Sequence, residues 1–213
     1  MSTRTALDAT QVVDAAMRRA DADGLESVTM RAVAGDLGVT PMALYNHVEG
    51  REPLVDAMVE RVVAQIPDTD ALSAWNDALR ARILSARTTI EAHPWAWGAI
   101  EARTSAGPAV LGYMDSLMGI MFAGGLSADL VHEGMHVLST RMWGFTRDVL
   151  PTPELPTDPE EQARAFEAYA QHYPNIVRMA TTATGAGSDC DSQAEFEVAL
   201  DIIIDGLRRR HQR

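Results

Sequence analysis

One short segment has the spacing of a catalytic metal site: His132, Glu133 and His136 within the sequence HEGMH. Two histidines one helical turn apart can bind Zn²⁺, and the glutamate between them can activate a water molecule, as in zinc-dependent hydrolases. The sequence has no obvious third metal ligand downstream, and so short a motif also occurs by chance. A zinc-dependent hydrolase therefore stays an alternative function, and His136 can instead line a pocket or form a hydrogen bond at an interface.

A second segment, TPMALYNHV from Thr40 to Val48, combines a helix start with a cluster of polar residues. Threonine followed by proline begins a helix, because proline suits the first helical position. On a helical wheel the side facing the core contains Pro41, Leu44 and Val48. The outward side contains Met42, Ala43 and Asn46, and Tyr45 and His47 lie on the flanks. Small or adaptable residues can meet base edges in a major groove, while a flanking hydroxyl and imidazole reach phosphates. This segment therefore predicts a DNA-binding helix.

The elements that position these segments are predicted to be helices throughout. Apolar residues recur at i, i+3, i+4 and i+7, and no alternating pattern bounded by hairpin turns is present. Four N-terminal helices are predicted: Thr10 and Thr29 can cap the first two, Thr40 begins the third, and the fourth spans 52–66. A short helix that follows another after a glycine, Gly38, is the pattern of a helix-turn-helix. Longer helices are predicted over 73–92, 95–105, 108–123, 127–149, 160–180 and 192–210.

Composition favours a soluble intracellular protein. Apolar residues make up 46% of the 213 residues and charged residues 23%, no apolar run reaches the length of a membrane span, and the N-terminus has no signal-peptide core. A single cysteine, Cys190, fits a reducing compartment, so we expect a cytoplasmic protein that does not bind a membrane. All 18 cationic residues are arginine, and the net charge is −12. Contact with DNA must therefore come from a local arrangement and not from a broad basic surface.

The residues of the helix-turn-helix also carry a family resemblance. GLESVTMRAVAGDLGV followed by TPMALYNHVEGREPLVDAM, within 10–58, resembles the DNA-binding domain of the tetracycline-repressor (TetR) family. AHPWAWGAIEARTSAGPAVLGYMDSLMGIMFAGGLSADLVHEGMHVL looks like the C-terminal domain of the branch that contains the tetracycline repressor itself. The resemblance implies an all-α protein with an N-terminal three-helix DNA-binding domain and a larger α-helical domain for ligand binding and dimerisation.

The resemblance also implies roles for individual residues of the N-terminal domain. Base contacts are implied for Thr40, Pro41, Met42 and Ala43, and Asn46 lies on the same outward side. Phosphate contacts are implied for Tyr45, His47 and Arg51, and Arg31 matches a position that reaches a base or a phosphate. Glu49 departs from the family pattern, because it places a carboxylate near the phosphates where a cation is common.

Flexible and aromatic side chains concentrate in the second half of the chain. Methionine and tryptophan walls suit a pocket for an apolar or aromatic small molecule, although the same residues can also form plain core packing. The predicted pocket residues are Trp95, Trp97, Met114, Met118, Met121, Met135, His136 and Trp143. We expect no cofactor and no bound metal there.

The helices predicted over 127–149 and 192–210 have apolar stripes too wide for one buried side. Two such helices can form a symmetric four-helix contact between two copies. The predicted interface residues are Leu130, Val137, Ile202, Ile203, Gly206 and Leu207.

The predicted domains are a DNA-binding domain over 1–50, a connecting helix over 51–66 and a regulatory domain over 67–213. The predicted function is a ligand-responsive repressor that binds a palindromic double-stranded DNA operator as a homodimer and is not an enzyme. The alternatives are the zinc-dependent hydrolase and a ligand-binding protein without DNA activity.

Overall fold

The computed structural model describes residues 7–68, 74–142, 157–175, 177–178 and 192–213, and these residues form helices and the turns that join them. The all-α prediction is confirmed. The helices are α1 (Ala9–Asp23), α2 (Met30–Leu37), α3 (Pro41–Tyr45), α4 (Arg51–Val63), α5 (Trp75–Glu91), α6 (Ala96–Glu101), α7 (Pro108–Ala123), α8 (Ala128–Met142), α9 (Pro159–His172) and α10 (Ser192–His211), with a 3₁₀ turn at Leu25–Ser27 between α1 and α2.

The first two helices begin at side-chain caps. The predicted cap at Thr10 is wrong, because Asp8 caps α1 two residues earlier in a reciprocal pair of hydrogen bonds with Gln11. Thr29 caps α2 as predicted, its hydroxyl accepting from the Ala32 backbone N–H. Helix α2 ends at Leu37 and is capped by Gly38, whose φ of 65° lies in the left-handed region that favours glycine. That turn redirects the chain into α3.

Helix α3 is shorter than predicted. It ends at Tyr45 and not near Val48, although Leu44 and Val48 are buried as expected. Pro41 was predicted to face the core, but it is exposed at the first position of α3, before the helical turn that buries Leu44. Helix α4 also ends earlier than predicted, at Val63, and its buried residues are Leu54, Met58 and Val59 with Val62 and Val63.

Most later helices match their predicted bounds within a few residues. The 108–123 prediction coincides with α7, and α10 is one residue longer than predicted. Helix α9 ends at His172, well before the predicted residue 180. The predicted helix 127–149 is described only to Met142, so its remainder, including Trp143, lies outside the described residues.

The described residues divide into two compact units, one within 1–136 and 207–213 and the other within 137–206. In the first unit α4 packs against α1 on the N-terminal side and against α5, α6 and α7. The predicted domains 1–50, 51–66 and 67–213 stay a prediction. None of the described helices is both long and apolar enough to span a lipid bilayer.

Candidate nucleic-acid interface and regulatory region

The outer face of α3 consists of Thr40, Met42, Tyr45, Asn46 and His47, and the structure brings all five to the surface. The side chains of Met42 and Tyr45 are 74% and 50% exposed. On the opposite side of the helix Leu44 is completely buried, and Ala43 lies between the two sides. Because Leu44 fixes the rotation of α3, the outer face is held towards solvent.

Arg51 begins α4, and its guanidinium is held by the protein itself. It donates from Nε to the Val28 carbonyl at 2.9 Å and from Nη2 to the Leu25 carbonyl at 3.1 Å, with the Glu26 carboxylate 3.8 Å away. These bonds fix the start of α4 against the 3₁₀ turn. The predicted phosphate contact of Arg51 stays a prediction, and so does that of Arg31, which is exposed near the start of α2.

Ion pairs join the helices behind α3. The Arg19 guanidinium on α1 donates two hydrogen bonds to the Asp36 carboxylate on α2, at 2.7 and 2.6 Å. The hydrogen bond with Arg19 lowers the pKa of Asp36, and the same bond raises the pKa of Arg19. A second pair joins Arg61 on α4 to Asp14 on α1 at 3.4 Å. Part of the acidic charge of this region is therefore neutralised by arginines away from the outer face of α3.

The predicted pocket residues of the first unit occupy different environments. Met121 is completely buried, whereas Met114, Met118, Met135 and Trp97 are half-buried and His136 is exposed. Trp95 is buried and donates from its indole N–H to the Asp21 carboxylate on α1 at 2.6 Å. The His93 ring lies 2.8 Å from the same carboxylate. Trp95 therefore anchors the chain before α6 to α1. Membership of these residues in one pocket stays a prediction.

An open cleft of about 670 Å³ lies between the start of α8 and the end of α10. Its walls are mostly polar: Gly125, Ser127, Asp129, Leu130, Glu133, Arg210, His211 and Arg213. This lining differs from the apolar and aromatic walls predicted for an effector pocket.

A carboxylate on α4 caps the start of α7. Glu60 accepts through Oε2 from the Ala109 backbone N–H at 2.6 Å, and Arg103 approaches its other oxygen at 3.1 Å. Arg103 also lies 3.3 Å from the Asp56 carboxylate, one turn earlier on α4. A Cβ atom at Gly107 would lie 2.4 Å from the Glu60 carboxyl carbon, so a larger residue there would displace the Glu60 carboxylate. These residues attach α4 to the N-terminal end of α7.

Arg82 makes a second attachment between the same helices. Its side chain on α5 is buried, donates to the carbonyls of Ile66 and Pro67 just after α4, and donates from Nε to the Ser116 hydroxyl on α7 at 3.1 Å. The guanidinium carbon lies 5.1 Å from the centre of the Tyr113 ring. Burial raises the pKa of Tyr113, and the nearby Arg82 charge opposes that shift. We call the two attachments, made by Glu60, Arg103 and Arg82, the α4–α7 junction.

The predicted interface residues divide by exposure. Leu130 and Leu207 are buried, and Leu207 lies beside Gly134 and so is covered before a second copy is present. Val137 and Ile202 are exposed, Ile202 by 64%, while Ile203 and Gly206 are partly exposed. Val198, which sequence reasoning missed, is exposed one turn before Ile202 on α10. Val198 lies four residues before Ile202, and this helical spacing could have placed it on the same side of α10.

The HEGMH segment lies on α8. The His132 and His136 rings are in contact, with centroids 4.5 Å apart. Glu133 forms an ion pair with Arg210 at 2.6 Å, so its carboxylate is engaged by α10. Across the part of the chain that the structure describes, no group of three or more His, Cys, Asp or Glu side chains could hold a metal ion.

Comparison with known proteins identifies the family. Residues 67–211 match the family model described as the tetracycline repressor-like C-terminal domain. The chain is 32% identical to the HTH-type transcriptional repressor DrrR1 of Streptomyces coeruleorubidus, over 92% of this chain and 76% of that protein. It is 26% identical to the class A tetracycline repressor of Escherichia coli from transposon 1721, over 97% and 93% of the two chains.

A solved structure shows the same fold. ActR of Streptomyces coelicolor, in complex with actinorhodin, is 25% identical and has a TM-score of 0.77, over 97% of this chain and 98% of that one. Because the relatives are regulators, the prediction that this chain is not an enzyme is confirmed. The chain belongs to the tetracycline-repressor (TetR) family of transcriptional regulators.

Proposed function

We propose that the protein is a homodimeric repressor that binds a palindromic operator through α3 and responds to a small molecule. The observation that carries the DNA contact is the outer face of α3, where Met42 and Tyr45 are exposed on a short helix whose other side is buried. In a helix-turn-helix, the second helix, which follows the glycine of the turn, places its N-terminal residues against base edges in the major groove. Tyr45 and His47 supply a hydroxyl and an imidazole for the flanking phosphates.

Dimerisation is proposed through the exposed apolar residues of α8 and α10. Val137 on α8 and Val198 and Ile202 on α10 have apolar side chains in water, where a second copy of the chain can cover them. Two copies of α3 read two half-sites, and this supplies the specificity that a five-residue helix lacks by itself.

The proposed effector is an apolar or aromatic small molecule bound beside α7. Met114 and Met118 on α7 and Met135 on α8 are half-buried, and methionine adapts to irregular apolar ligands. ActR, which shares the fold, has been crystallised with actinorhodin and with (S)-DNPA. Those complexes support the proposal that this chain also binds a small molecule.

The proposed response passes through the α4–α7 junction. Helix α4 contacts α1 in the DNA-binding part, and its C-terminal end is attached to α7 through Glu60 and through Arg82. An effector that favours one position of α7 therefore shifts α4 and the spacing of the two α3 helices. Such an effector must bind the two states with unequal affinity, because tight binding by itself shifts no equilibrium.

Selection of bound sequences from a random duplex library at low salt tests the DNA-binding function. We expect enrichment of a palindrome whose half-sites are about one helical turn or slightly more apart. A folded dimer that enriches no sequence would contradict the proposal and leave a ligand-binding protein without DNA activity.

A further inference from the structure

Among the large apolar side chains that are exposed in the described residues, that of Met42 has the largest exposed fraction. Isolated apolar residues at a surface are common and need no partner. Met42 differs because of its position, the second residue of the helix that the Gly38 turn directs outward. In a helix-turn-helix this is the end that approaches base edges.

The other side chains at the start of α3 cannot identify a base by paired hydrogen bonds. Recognition of guanine uses arginine or lysine, and recognition of adenine uses asparagine or glutamine. The first turn instead contains Thr40, Pro41, Met42 and Ala43, of which only the threonine can donate a hydrogen bond. Asn46 follows the last residue of the helix, one turn further on. Apolar contact is therefore the main means of base recognition left to this turn.

The major groove presents one apolar group, the C5-methyl of thymine. We propose that Met42 recognises a thymine methyl in each operator half-site and so determines the sequence preference of α3, with the smaller Ala43 beside it. This inference rests on the proposed DNA-binding function and specifies its chemistry. The same contact would accept the methyl group of 5-methylcytosine.

The surroundings of α3 hold Met42 in place for such a contact. Leu44 is completely buried and Val48 nearly so, which fixes the rotation of the helix about its axis. Tyr45 lies three residues after Met42 and therefore on a neighbouring part of the same face. With the Tyr45 hydroxyl on a phosphate, the methionine lies over the adjacent base edges.

Replacement of each thymine by uracil in the selected operator tests the inference, because the exchange removes only the methyl group. A buried methyl group contributes about 0.8 kcal/mol, so exchange of the contacted thymine in one half-site should lower affinity about fourfold. Methylation of a cytosine placed at the same position should restore affinity over the unmethylated cytosine by a similar factor.

A double-mutant cycle assigns the methyl contact to Met42. In Met42→Ala the uracil exchange should lower affinity by less than about 1.5-fold, and in Met42→Leu the sensitivity should largely return. Tyr45→Phe is the matched control: it lowers affinity for every duplex and leaves the uracil effect at about fourfold. Circular dichroism and melting of each variant confirm that the fold is retained.

The possible outcomes distinguish failure of the Met42 inference from failure of the proposed DNA-binding function. Enrichment of an operator that shows no uracil effect, or an equal effect in wild type and Met42→Ala, overturns the role of Met42 and leaves the repressor function standing. Failure to enrich any duplex overturns both. A uracil effect that disappears in Met42→Ala and persists in Tyr45→Phe supports the inference.

Discussion

The outer face of α3 and the α4–α7 junction place side chains in opposite ways. Helix α3 exposes Met42, an apolar residue, whereas the junction buries Arg82 and nearly encloses the ion pair of Arg103 with Glu60. A buried charge must be compensated inside the protein, while an exposed apolar side chain can find its contact only outside. This difference fits the proposal that the outer face of α3 contacts DNA, while the junction holds helices together. Substitutions should therefore affect binding in one region and folding in the other.

The largest effect is expected for the exposed apolar residues of α10. Ile202→Glu places a charge where a second copy is proposed to pack, and we expect the dimer dissociation constant to rise by on the order of 100-fold or more. Sedimentation equilibrium measures the change. Leu111→Glu, at an exposed apolar site on α7, is the control and should leave the dimer intact. A fully dimeric Ile202→Glu protein would show that exposure on α10 does not mark this interface.

Arg82→Met should destabilise the protein by about 3 kcal/mol. It leaves the carbonyls of Ile66 and Pro67 without their buried donor and removes the charge near Tyr113. Urea unfolding measures the loss, and the exposed Arg18→Met should change stability by less than about 0.5 kcal/mol. Equal stability of the two variants would mean that the junction does not hold α4.

Gly107→Ala should cost about 1–3 kcal/mol, because its Cβ would displace the Glu60 carboxylate from the Ala109 N–H and from Arg103. Gly112→Ala, later on α7 with nothing within 4 Å of its Cβ, should be neutral or stabilise by up to about 1 kcal/mol. In a Glu60→Ala background the cost of Gly107→Ala should nearly vanish. A cost that persists there would place the strain elsewhere.

Tyr45→Phe should affect binding alone. Loss of one hydrogen bond to a phosphate in each of the two copies corresponds to about a 10- to 100-fold loss of operator affinity, with the free energy of unfolding unchanged within about 0.5 kcal/mol. Fluorescence anisotropy and urea unfolding of one preparation measure both quantities. A large loss of stability with unchanged affinity would place Tyr45 among the packing residues.

The smallest effect is expected for the exposed pair of Arg19 and Asp36. Since the pKa of Asp36 is lowered in the folded state, the pair stabilises the protein above the ordinary aspartate pKa. That contribution is lost as the pH falls through the lowered value. Asp36→Asn should therefore be less stable than wild type at pH 7, and the difference should disappear in strong acid. A difference that stays constant with pH would exclude this linkage.

The two regions also differ in how far sequence could predict them. Helix periodicity, Thr29, Gly38 and the Thr40–Pro41 start specified the helix-turn-helix, because each signal acts within a few residues. The junction could not be predicted in this way. Glu60 contacts Ala109 across 49 positions and Arg82 contacts Ser116 across 34, so the pairing depends on how α4, α5 and α7 pack.

The same limit affects other parts of the molecule. Apolar stripes showed that Leu130 and Leu207 are buried but not by what, and the structure covers both within one copy. Asp8 competes with Thr10 as the cap of α1 and succeeds because Gln11 completes a reciprocal pair. Trp95 is predicted as a pocket residue from its type, and the sequence does not show its hydrogen bond to Asp21 on α1, which lies 74 positions away.

Operator half-site spacing gives the most direct test of the central claim, that two copies of α3 read one palindrome. Insertion of about five base pairs between the half-sites turns one of them to the opposite side of the duplex. The affinity measured by anisotropy should fall to that of an unrelated duplex, and an insertion of about ten base pairs should not restore it fully. Equal affinity for the original and the five-base-pair operator would contradict dimeric recognition through α3.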